Sequence, residues 1–139
     1  MIPIEDDESL YRRVLASSEQ YNPETGLLSP QAFHPNKNDV TGLSLVRARF
    51  LAASDAARGR AGKETILAVL RAGDLRAEGI RIEPDDDEDR TWHAELPDLR
   101  YDNRRSNSAR ILKNLLASQL TREVLGPFRH VESQEANNR

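Results

Sequence analysis

The chain contains no cysteine. That excludes a structural disulfide, a thiolate metal site and a cysteine nucleophile together. Histidine is scarce. His34, His93 and His130 are the three present, and no two stand at H-x-x-x-H or H-E-x-x-H spacing. A zinc centre would have to be assembled from distant segments, so no metal is expected. Apolar runs are short, and none approaches the roughly 20 residues that span a bilayer. The first residues, Met1-Ile2-Pro3-Ile4-Glu5-Asp6-Asp7-Glu8, have neither the basic start nor the apolar middle of a signal peptide. Nor is there a basic surplus. The formal net charge is -3, whereas a domain held to phosphates by its surface carries a clear excess of Lys and Arg. These absences describe a cytoplasmic protein without membrane association, for which nucleic acid is not the expected partner.

A length of 139 residues suits one domain with one core. The expectation is a single α+β domain over 1–128 with a polar tail over 129–139. Charge is unevenly spread. Asp85, Asp86, Asp87, Glu88, Asp89, Glu95 and Asp98 face Arg90 alone in one block. Arg100, Arg104, Arg105, Arg110 and Lys113 face Asp102 alone in the next. Such neighbouring blocks either pair within the molecule or present an acidic and a basic surface to a partner.

Leu10, Tyr11, Val14 and Leu15 follow helical spacing behind Asp6 and Asp7, which predicts a first helix over 6–17, with a strand at Leu10–Leu15 as the competitor. Residues 18–42 read as a long irregular loop punctuated by Asn22-Pro23, Thr25-Gly26, Ser29-Pro30, His34-Pro35 and Thr41-Gly42. A loop of that length in a compact domain is often functional. Leu43–Val46 reads as a short strand and the Ala- and Arg-rich 47–58 as a short helix. Thr65–Leu70 reads as a strand buried on both faces. Gly73-Asp74 reads as a turn. Gly79–Glu83 and Thr91–Leu96 alternate and form an antiparallel hairpin, with Trp92, Ala94 and Leu96 on one face and His93 and Glu95 on the other. Ser106 or Ser108 caps a final helix whose stripe is Ala109, Leu112, Leu115, Leu116, Leu120 and Val124, and Gly126-Pro127 stops it. The architecture expected is a small, mainly antiparallel sheet packed with two or three helices, the last covering one sheet face.

Two chemical motifs fail on specific residues. Around Gly62-Lys63 the hydroxyl of a phosphate loop comes one residue late, at Thr65, and Ala57 stands where its first glycine belongs. Asp85, Asp87 and Asp89 are spaced as in a calcium loop, but Arg90 replaces the turn glycine and Leu96 the bidentate Glu. Arg104, Arg105 and Ser106, at the mouth of the last helix, could hold an anion. Ser29 and His34 are ligand-binding candidates in the long loop. If Arg12 or Arg13 converges with Ser44, the set could hold a phosphate-bearing ligand, with His93 or Glu95 as the acid/base group. The competing reading makes these residues turn caps and surface charges.

The order Tyr11-Arg12-Arg13-Val14, Ser29-Pro30-Gln31-Ala32-Phe33, Gly42-Leu43-Ser44 and His93-Ala94-Glu95-Leu96 resembles small uncharacterised bacterial proteins of about this length. More remotely, Arg12 or Arg13 followed by Gly42-Leu43-Ser44 resembles the Arg–Ser–Glu order of ADP-ribosyltransferase-like folds. That resemblance implies NAD held by Arg12 or Arg13 and Ser44, with Glu95 supporting transfer. Two functional expectations follow. One is an interaction or accessory module of a multi-component system, with another protein as partner and no cofactor. The alternative is a small enzyme, ADP-ribosyltransferase-like or otherwise, that binds a nucleotide or another phosphate ligand.

Overall fold

A computed structural model describes residues 1–17, 19–58 and 62–129. His130, the expected tail beyond Arg129 and residues 59–61 of the glycine-rich stretch lie outside the described residues. The elements run β1 (Ser9–Leu15), β2 (Tyr21–Asn22), β3 (Leu27–Leu28), a 3₁₀ turn at Pro30–Phe33, β4 (Leu43–Arg47), α1 (Ala53–Ala56), β5 (Glu64–Arg71), α2 (Ala72–Ala77), β6 (Glu83–Pro84), β7 (His93–Leu96), α3 (Asn107–Leu115) and β8 (Glu123–Arg129). Six strands form one antiparallel sheet in the order β6-β7-β4-β1-β5-β8, and β2-β3 form a small separate ribbon. This is the expected α+β class.

One face of the sheet carries the main core. Leu10 and Val14 of β1, Leu43 and Leu45 of β4, Ile66, Ala68 and Leu70 of β5, and Ala94 and Leu96 of β7 are buried against Ala109, Leu116 and Leu120 of the C-terminal helix and against Phe33. The opposite face holds a smaller cluster of Leu67, Ala56 and Ala57. β5 is therefore apolar on both sides, as its unbroken run implies. Ser106 caps α3 by accepting from the Ala109 N–H at 3.1 Å. The helix continues through a wider π turn at Leu116–Leu120, 14 residues in all.

The N-terminal element corrects the helical expectation. β1 pairs along its whole length with β5, Leu10 opposite Leu70, Arg12 opposite Ala68 and Val14 opposite Ile66. Leu10, Arg12 and Val14 thus share the core-facing side. An arginine at the middle position breaks the apolar alternation and leaves a spacing that mimics a helix.

The other departures have local causes. Only Ala53–Ala56 of the expected 47–58 helix is helical. Arg47 is held in the sheet, 1% exposed, with Nε 2.7 Å and Nη2 2.9 Å from the two Glu8 carboxylate oxygens. Gly73-Asp74 opens α2 rather than a turn. The Gly73 N–H donates to the Asp6 carbonyl at 2.7 Å, and a Cβ there would meet that same oxygen at 2.9 Å. Of Gly79–Glu83 only Glu83 pairs as strand, while Ile80 is buried in the core. Gly126-Pro127 does not end the last helix, which stops at Leu120; it lies inside β8, an edge strand, where a missing N–H is tolerated. Val124 accordingly reaches the core from β8, and the C-terminal helix is followed by a strand.

Candidate functional site: a cationic cleft where the sheet opens

β1 and β4 are neighbours but pair at only two positions, Leu10 with Arg47 and Tyr11 with Val46. Beyond Tyr11 the strands part. The sheet is in effect two halves, β6-β7-β4 and β1-β5-β8, hinged at that short contact. The opening holds a cleft of about 810 Å³, lined by Arg12, Arg13 and Leu15 from β1, Ser44 and Val46 from β4, and Gln31, His34, Asn36 and Lys37 from the long loop. Arg90, Trp92, Tyr11 and Tyr101 are among its other lining residues. Four lining residues are Arg or Lys, and among the described residues no Asp or Glu lines it.

Parting strands leave edge carbonyls without ladder partners, and buried carbonyls need donors. Arg12 supplies one for Ser44 and also binds a carbonyl of the 3₁₀ turn. Its Nε donates to the Ala32 carbonyl and its Nη1 to the Ser44 carbonyl, each at 3.1 Å. Burial pushes the Arg12 pKa down from 12.5 to about 10, partly offset by the carboxylate of Asp39 and reinforced by Arg13, so it is a cation at neutral pH. Its Nη2 has no protein partner among the described residues, and no polar side-chain atom there is buried without one. Asp39, 5% exposed, is held behind the lining by the main-chain N–H groups of Asn36 (2.9 Å) and Ser44 (3.3 Å).

A second feature meets the cleft at Ser44. Its Oγ lies 2.9 Å from Nε2 of His93, whose Nδ1 lies 2.8 Å from Oδ2 of Asp85. The register explains this alignment. Ser44 pairs with Glu95 and Val46 with His93, so Ser44 and His93 are diagonal neighbours on one sheet face. Glu83 pairs with Glu95 and Pro84 with Ala94, which carries Asp85 opposite His93; the Asp85 N–H donates to the His93 carbonyl at 3.0 Å. His93 is 8% exposed, not on an open hairpin face. The Asp87 main-chain N–H, then His93 and Arg90, hold the Asp85 carboxyl below its ordinary 3.8 against the opposing cost of desolvation.

The structure brings together Arg12, Arg13, His34 and Ser44 as lining residues, with His93 behind Ser44. Glu95 does not line the cleft; its Oε2 accepts from the Thr41 hydroxyl at 2.9 Å. Ser29 caps the 3₁₀ turn, accepting from the Gln31 N–H and donating to the Glu19 carbonyl. Ser106 is occupied as a helix cap, Arg104 stacks on Tyr101 with its guanidinium carbon 3.7 Å from the ring centre, and Arg105 is exposed. None of these three lines the cleft. His34 is tied to the same region, because Lys113 Nζ sits 2.9 Å from its Nδ1 and donates to the Arg104 carbonyl at 2.9 Å. Desolvation, then the charges of Lys113, Arg104 and Arg105, lower the His34 pKa, and desolvation lowers that of Lys113.

Asp85 and Asp39 are the residues the sequence reading missed. In the sequence Asp85 stands out only as part of the acidic run and of the incomplete calcium-loop spacing. Folding the two alternating segments into a hairpin and counting back from His93 would have set it across the strand. No local signal marks Asp39, whose role depends on loop and strand meeting. Comparison with family models, curated proteins and solved structures gave no match.

Proposed function

We propose that the chain binds a small phosphate-bearing ligand, of the nucleotide class, in the cleft between β1 and β4. The observation that carries this reading is the lining: Arg12, Arg13, Lys37 and Arg90 with no carboxylate among them. A concave site of one sign concentrates ligands of the other. Trp92, Tyr11 and Tyr101 offer rings on which a base could stack. The ADP-ribosyltransferase-like version additionally asks for NAD and for Glu95 as the supporting carboxylate. Glu95 is engaged by Thr41 and does not line the cleft, so we propose phosphate-ligand binding without that transfer step.

Thermal shift and calorimetry with ATP, NAD and inorganic phosphate test this directly. A ligand at about 100 times its Kd raises stability by about 2.7 kcal/mol. The expected result is a saturable upward shift with a nucleotide that disappears in Lys37→Ala/Arg90→Ala. Identical melting at millimolar concentrations of all three compounds would refute it.

The interaction-module reading rested on the two charge blocks. Several of those charges are matched within the chain: Arg81 with Asp98 at 2.6 Å, Arg90 with Asp85 at 3.6 Å and Arg100 with Asp102 at 3.1 Å. The internal pairing leaves phosphate-ligand binding as the better supported proposal.

A further inference from the structure

We propose that Ser44 is a nucleophile, activated by His93 as general base with Asp85 as the positioning residue, and that the cleft hydrolyses carboxylic esters whose acid or alcohol carries a negative charge. Three observations converge. Ser44 Oγ, His93 Nε2, His93 Nδ1 and Asp85 Oδ2 form one line of hydrogen bonds of 2.9 and 2.8 Å. This is the geometry in which a carboxylate fixes the imidazole tautomer so that the other nitrogen can take a hydroxyl proton. The line ends at a residue that lines an open cleft, whereas a purely structural serine–histidine pair needs no access. It is also assembled from three separate strands or strand ends, with Asp85 itself fixed through Oδ1 by the Asp87 N–H at 2.9 Å.

The chemistry balances with water as the only co-reactant. Ser44 Oγ bonds to the ester carbonyl carbon while its proton passes to His93 Nε2. The carbon–alkoxide bond breaks and the leaving alcohol takes that proton. Water then attacks the acyl-serine through the same histidine, releasing the acid and restoring the hydroxyl. The Ser44 N–H is already donated to Asp39, so the oxyanion needs a side-chain donor; Arg12, bonded to the Ser44 carbonyl and with no hydrogen bond from Nη2 among the described residues, is the charged group beside it. The preference for an anionic substrate rests on the cationic lining proposed above, while the nucleophile itself does not.

The absence of cysteine permits a direct test. Ser44→Cys installs the sole thiol of the full chain, and its alkylation by iodoacetamide across pH reports the thiol pKa. The expected value is at least about one unit below the 8.5 of a free thiol, reverting in Ser44→Cys/His93→Gln and shifting in Ser44→Cys/Asp85→Asn. The second double variant serves if the first does not fold. A thiol titrating as in the urea-unfolded chain, or indifferently to both replacements, overturns the proposal. In the wild-type chain, p-nitrophenyl acetate and a phosphate-bearing p-nitrophenyl ester should give a burst of nitrophenol and an acyl adduct mapped to Ser44, both lost in Ser44→Ala. No adduct at Ser44 with either ester also overturns it. Acylation without nucleotide binding would sink the phosphate-ligand reading and leave the nucleophile standing. Nucleotide binding without acylation would do the reverse.

Discussion

Arg12 and Ser44 are joined across a gap where their strands have stopped pairing: Nη1 of Arg12 donates to the Ser44 carbonyl at 3.1 Å, while Nε reaches the Ala32 carbonyl at the same distance. The guanidinium thus stands in for a missing ladder bond at Ser44, ties the 3₁₀ turn to β1 and brings positive charge into the opening. Arg12→Ala strands two carbonyls and should cost roughly 1–3 kcal/mol in urea unfolding. Arg12→Lys keeps the charge but lacks the planar fork, so it should recover only part of that loss and weaken nucleotide binding. Wild-type stability in Arg12→Ala would mean that water serves these carbonyls equally well, and the bridging role would fall.

Glu8 and Arg47 form a buried ion pair, with side chains 3% and 1% exposed. Arg47 also donates from Nη1 and Nη2 to the carbonyls of Ile2 and Pro3, at 2.7 and 2.9 Å, which binds the N-terminal segment to β4. Removing one partner leaves the other charge buried, so Glu8→Gln should lower stability by about 3–5 kcal/mol. Replacing both together, as Glu8→Leu/Arg47→Met, should cost less than the single change. Chemical denaturation of the three chains decides it, and a double variant that loses as much stability as Glu8→Gln, or more, would contradict the pairing argument.

Gly42 joins the long loop to β4. A Cβ there would lie 2.8 Å from the Leu96 carbonyl oxygen and 2.9 Å from its carbon, and neither backbone atom can swing aside. Gly42→Ala should therefore destabilise by roughly 1–3 kcal/mol and disturb the Ser44–Glu95 register. Thermal melting gives the first effect. The His93 ring signals in an NMR spectrum give the second, and unchanged values in both would show that β4 shifts without penalty.

His34 makes stability depend on pH just below 6.5. Its pKa is lowered below 6.5, by desolvation first and then by Lys113, Arg104 and Arg105. Between the folded and unfolded values the unfolded chain binds more protons, so folding stability rises with pH there. The contribution is complete above about 6.5 and is lost as pH falls through the folded value. A His34→Gln chain should lack this slope just below pH 6.5. An NMR titration placing His34 at or above 6.5 in the folded protein would contradict it.

The fold class was readable because apolar pattern is a local property. Thr65–Leu70, the Ala94–Leu96 face and the stripe from Ala109 to Leu120 carry their periods in a few residues, and they form the core the sequence implies. Two elements depart from their local pattern because a polar group occupies a core-facing position. Arg12 turned β1 into a helical pattern, and Arg47 sits in β4 where an Ala- and Arg-rich segment suggests a helix. Gly126-Pro127 reads as a helix stop but is tolerated in an edge strand, a status set by which strand lies outermost.

The site divides in the same way. Arg12, Arg13, Ser44, His34 and His93 stood out in the chain as polar groups beside short apolar stretches, and the nature of the chemistry they could perform follows from residue type. Their meeting does not. The opening between β1 and β4 arises because two strands distant in sequence stop pairing after two residues, and the Ser44–His93–Asp85 line arises from hairpin register and a sheet diagonal. Residue identity and apolar periodicity are written along the chain. Register, strand order and the place where a ladder opens are long-range pairings, settled only when the folded sheet brings its strands side by side.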